Sequence, residues 1–136
     1  MIKLLYNYIP FSFALWFLLI LNSVVLVFHT LILMSVIPYD IVWAGKLKNT
    51  NEMIVFESIS ISINTILLFV LLLRGQFLNI NKSERAVIIV LWFFVIVFSL
   101  NTAGNLFSKT SLETFIATPL TFISAILCLR LTIKNK

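Results

Sequence analysis

The sequence predicts an all-α integral membrane protein, a four-helix up-and-down bundle with both termini on the cytoplasmic side. Three observations carry this. Hydrophobic residues make up 61% of the 136 residues, against roughly 45–50% in a typical soluble domain. Charged residues are 11%, against about 25%. The apolar residues also gather into four runs separated by short polar connections. A chain this long has too little interior to hide so much apolar surface, so much of it faces lipid. A soluble enzyme, a disordered segment and a disulfide-stapled secreted domain are thereby excluded. Cys128 is the only cysteine and can form no internal bridge.

The first run, Phe11 to Ile37, is uncharged over 27 residues, where about 20 cross the hydrocarbon. It is too long for a signal-peptide core, and no small-x-small cleavage site follows. It is therefore expected to stay as the first helix, near 10–37. The connection from Pro38 to Asn51 carries Tyr39, Ile41, Val42 and Trp43. Such residues suit the membrane interface or a cap on the bundle, and Gly45 allows a left-handed turn there. The second run, Met53 to Leu73, is broken only by Glu57 and predicts a helix near 52–74. Within it Ser58 to Ile63 alternates as a strand would, but an open strand in lipid leaves its backbone groups unpaired. On a helix Ser58 and Ser62 share one face and Ser60 and Asn64 another, each small enough to let a neighbour approach.

The third run, Ala86 to Leu106, has no charge and predicts a helix near 84–107. The fourth, Thr114 to Leu129, is short at 16 residues. It extends through Leu131 and Ile133, to 111–133, if Arg130 snorkels to the headgroups. Ala117, Thr121 and Ala125 form a small-residue ridge on it, and Pro119 is its expected kink. Asn49, Asn81 and Thr110 each stand three residues before a glutamate, the spacing of a capping box at a helix start. One domain and no repeat are expected.

Orientation follows from the basic residues. Lys3, Arg74, Lys82, Arg85, Arg130, Lys134 and Lys136 flank one set of helix ends, and Lys46, Lys48 and Lys109 the other. Seven against three puts the termini in the cytoplasm of a multi-pass protein of the cell membrane. The net charge of +5 is scattered, without a basic stripe, so nucleic acid is not an expected partner. Tyr6, Tyr8, Tyr39 and Trp43 read as interfacial anchors.

The polar residues inside the spans fall at one depth. At 1.5 Å per residue, His29 lies about 10 Å from the outer end of its helix, Glu57 about 8 Å, Asn101 about 9 Å and Thr118 about 8 Å. Asn105 lies one turn above Asn101, and Asn64 two turns below Glu57. An intramembrane carboxyl is a site candidate by default, and lipid supplies it no partner. Glu57 is therefore expected to point inward, within hydrogen-bonding reach of Asn101 or Asn105, with His29 bordering the same space and Asn64 as its floor. The ligand-binding candidates are Glu57, Asn101, Asn105, His29, Asn64 and Thr118. Glu57 and His29 are the catalytic candidates, as an acid–base pair. No metal-ligand spacing, HExxH, GxSxG, CxxC or glycine-rich phosphate loop occurs, so neither metal nor cofactor is expected.

These observations support a small binding or accessory membrane protein whose outer polar pocket takes a lipid, a small amphiphile or a partner helix of another membrane protein. The alternatives are a membrane-embedded enzyme on a lipid-soluble substrate and a proton- or ion-conducting homo-oligomer.

Overall fold

The computed structural model describes residues 2–78, 80–81 and 83–133, excluding the side chains of residues 2–4. Lys82, Lys134, Lys136 and the Lys3 side chain, counted in the charge argument, lie outside that description. Helix α1 (Ile2–Tyr8) is short. The long helices are α2 (Phe11–Leu33), α3 (Thr50–Arg74), α4 (Glu84–Leu106) and α5 (Thr118–Thr132), with one π-helical turn at Glu113–Ala117 leading into α5. No strand occurs among the described residues. With the π turn counted into α5, all four long helices have the length and apolarity to cross a membrane. No more than 33% of any span is buried within the protein, and residues such as Phe13, Trp16, Ile20, Val24 and Val27 of α2 stand exposed. The outward surface is that of a multi-pass membrane protein.

Each helix boundary has a local cause. Helix α2 stops at Leu33, short of the expected Ile37, because Ser35 adopts φ 59° and Val36 N–H donates to the Leu31 carbonyl at 2.9 Å. That is a Schellman stop, with Pro38 just beyond it. Helix α3 ends the same way: Gln76, not the adjacent Gly75, takes the left-handed conformation at φ 60°, and Phe77 N–H donates to Leu72 O. Asn49 caps α3 as expected, its side chain accepting from Glu52 N–H. Helix α4 is capped by Ser83, which accepts from Ala86 N–H, and not by Asn81. Two acceptable cap residues stand close together there, and the one adjoining the helix serves.

Helices α2 and α3 pair as one antiparallel hairpin and α4 and α5 as another. Helix α2 also packs on α5, whereas α3 and α4 meet sparingly. The two hairpins thus close against each other along one side and diverge along the other. The main core lies toward the end bearing the termini, where Ala14, Leu18, Leu71, Leu91, Cys128 and Leu131 are essentially inaccessible. Arg130 is buried there as well, 2% exposed, which corrects the expected snorkelling. Its Nε donates to Ile9 O at 2.7 Å, and its guanidinium lies over the rings of Tyr6 and Phe11. The turn joining α1 to α2 brings an acceptor and two aromatic faces to the arginine, so it need not reach outward. Beside it Arg74 donates to the carbonyls of Leu131 and Ile133, satisfying the carboxyl end of α5.

Candidate functional site

At the distal end, away from the termini, the chain between α2 and α3 folds into two short 3-10 turns, Tyr39–Ile41 and Trp43–Gly45. Trp43, Ala44 and Gly45 all have positive φ, at 54°, 57° and 66°. Only the glycine adopts this without steric penalty. Two carboxylates hold the other two. Trp43 Nε1 donates to Glu57 Oε1 at 2.9 Å, and Ala44 N–H donates to Glu113 Oε2 at 2.8 Å. Glu113 also accepts from the hydroxyls of Ser108 and Thr110. The expected capping glutamate thus becomes a tether that ties the connection of the first hairpin to the turn of the second, where the π-helical segment begins. Val42, Ile32 and Met53 form a small core beneath the turn.

Glu57 is fully buried. Its second oxygen lies 2.6 Å from His29 Nδ1, a charge-assisted distance. Trp43 Nε1 can only donate, so Glu57 Oε1 accepts from the connection, while Oε2 shares a proton with His29 Nδ1, and Glu57 joins two elements. The expectation that Asn101 or Asn105 would bond Glu57 is corrected. A tryptophan from the connection reaches that oxygen first, and the α4 asparagines stand across a gap. With its Nδ1 turned to the carboxylate, His29 leaves Nε2 unengaged by Glu57. His29 and Trp43 line the gap, while Glu57 lies behind them. The imidazole, and not the Glu57 carboxyl expected there, borders the gap.

The gap is a cavity of about 570 Å³ between the two hairpins, within the roughly 300–1,000 Å³ of small-molecule sites. Leu18, Leu67 and Phe94, themselves core residues, form its floor, and its walls are largely apolar. Its polar lining includes His29, Asn64, Asn101 and Asn105 of the sequence candidates. Thr118 is not part of it and instead donates to Glu113 O at the π turn. Asn64 donates to Ser60 O. Ser60 and Asn64 face the cavity, whereas Ser58 and Ser62 stand exposed, so that second serine face meets no neighbour. The α5 ridge does pack: Thr102 of α4 donates to Thr121, and Ala125 is buried.

The sequence reading missed two residues. Trp43 reads as an interfacial anchor in sequence, and its bond to Glu57 depends on a turn that no local pattern forces. Asn22 left a usable signal. It is a lone amide within an apolar run, seven residues before His29 and hence on the same helix face. Asn22 is 4% exposed, lines the cavity and donates from Nδ2 to Asn64 O at 2.9 Å. Among the described residues no three His, Cys, Asp or Glu side chains gather as a metal set would. No protein-family model matches this chain, and no curated protein and no solved structure matches it either.

Proposed function

We propose that this protein binds a lipid or small amphiphile in the cavity between its two helical hairpins. The carrying observation is the cavity itself: an apolar chamber with a tightly packed floor, a few convergent polar groups and a strained, doubly tethered turn beside it. Strain retained by dedicated tethers is a feature of sites. The basic residues at the terminal end put that end in the cytoplasm, so the cavity lies in the outer leaflet of the cell membrane. Cysteines placed at Lys48 and Arg85 are then labelled from opposite sides of intact cells.

The direct test is native mass spectrometry of the protein released from lipid nanodiscs. The wild type retains a bound amphiphile. Gly104 lines the cavity, and a Cβ there meets nothing within 4 Å, so Gly104→Leu fills the space and abolishes retention. The lipid-facing control Ser62→Leu retains it. An unchanged adduct in Gly104→Leu, or none in the wild type, overturns the reading. Loss of the adduct only when a co-purifying membrane protein is removed would make the occupant a partner helix.

The His29–Glu57 pair supports a second reading, an enzyme in which His29 Nε2 exchanges a proton with a lipid-soluble substrate. Glu57→Gln separates the two: ligand retention survives it, whereas proton transfer through the imidazole does not.

A further inference from the structure

One buried side-chain oxygen, on a residue that lines the cavity, receives no hydrogen bond among the described residues. It is Asn22 Oδ1. The amide cannot be turned over, because its Nδ2 is needed by the Asn64 carbonyl, and inversion would set oxygen against oxygen. The nearby polar side chains on the wall do not supply a donor. Asn64 donates to Ser60 O, Ser124 to Leu120 O and Thr121 to backbone carbonyls of its own helix. The hydroxyls of Ser124 and Thr121 each commit their single proton there, and neither the second N–H of Asn64 nor the Ser60 hydroxyl bonds Asn22 Oδ1.

Depth narrows what could complete Asn22. It stands at the middle of α2, eleven residues from either end, about 16 Å from each at 1.5 Å per residue. No headgroup reaches so far into the hydrocarbon. A phospholipid presents methylene groups at that level, and its esters are acceptors. A carboxylate or phosphate would bring a second acceptor, and a charge, against the first. What fits is a neutral donor on an apolar body.

We infer that the amphiphile carries a hydroxyl on its apolar body and donates it to Asn22 Oδ1, so that the cavity selects lipid alcohols over ordinary phospholipid chains. This rests on the binding reading above and adds a chemical class to it. Discrimination arises because a ligand without the hydroxyl leaves a buried carbonyl unpaired, worth about tenfold in affinity.

The test uses the full chain in nanodiscs with a photoactivatable hexadecanol, competed by unlabelled hexadecanol or by hexadecyl methyl ether. The alcohol competes about tenfold more effectively on the wild type, and Asn22→Leu brings the two competitors to parity. The wild-type comparison stands without the variant, whose fold is checked by circular dichroism. Equal competition on the wild type means that water completes Asn22 and overturns the inference. A preference that survives Asn22→Leu overturns it too, since the hydroxyl then sits elsewhere. Absence of alcohol labelling, alongside a native amphiphile still retained in mass spectrometry, overturns the hydroxyl assignment but leaves the binding reading intact. Absence of both removes the binding reading itself.

Discussion

Toward the termini the four long helices meet on Ala14, Leu71, Leu91 and Leu131, all fully buried. Toward the distal end the same four helices enclose about 570 Å³. The difference lies in what each helix turns inward. In the terminal half the facing positions carry leucine, phenylalanine and cysteine, which interdigitate. In the distal half they include Asn22, Ser60, Asn64, Gly104, Ala117 and Ser124, whose small or polar side chains cannot span the space. In lipid, helices associate through packing and interhelical hydrogen bonds. The terminal half therefore packs the bundle together, and the distal half is held by the tethers of the first connection and by bonds such as Asn22 to Asn64 O and Thr102 to Thr121. A membrane protein of this size can leave part of its interior unfilled because another part is complete.

The sharpest way to break the comparison is to truncate one residue in each half. Leu71→Ala, in the closed core, is expected to destabilise by about 3 kcal/mol. Val97→Ala, on a cavity wall, removes methyls that already border space and should cost well under ~1 kcal/mol. Thermal unfolding in one detergent compares them, and equal losses would mean that the cavity collapses in solution.

The tethers come next. Glu57→Leu leaves the Trp43 indole N–H and the His29 imidazole without their acceptor, at about 2 kcal/mol. The loss should be local: faster hydrogen exchange over residues 38–48, with the amides of Leu71 and Leu91 still protected. Uniform acceleration through both halves would show that the distal end is not separately held.

The smallest effect sharpens the contrast and concerns two glycines. A Cβ at Gly75, in the closed half, would come within 2.5 Å of the Phe77 ring and 2.8 Å of Leu15. Gly75→Ala should therefore lower stability by about 1 kcal/mol, softened by the ability of Phe77 to swing outward. Gly104 opens onto empty space, so Gly104→Ala should raise stability by roughly 0.5–1 kcal/mol through helix propensity alone. The two melting shifts should have opposite signs, and shared signs would contradict the packing contrast.

Much of this architecture was legible in the residues. The four spans follow from hydropathy, because a backbone in lipid must satisfy its own hydrogen bonds and a helix does so within each run. The Asn49 cap and the left-handed Gly45 also follow from chemistry confined to a few neighbouring positions. A common depth for His29, Glu57, Asn101 and Thr118 was an expectation from a constant rise per residue, and depth alone did not tell that Thr118 stays outside the cavity. Partners were not readable. Glu57 meets Trp43 because a strained turn folds back over α3, and Arg130 turns inward because the α1–α2 junction offers it a carbonyl and two rings. The void between the hairpins exists because α2 packs on α5 while α3 and α4 diverge. One-dimensional chemistry determines which segments are helical and how deep each polar group lies. Only the packing of one helix against another decides what each polar group faces and where space remains.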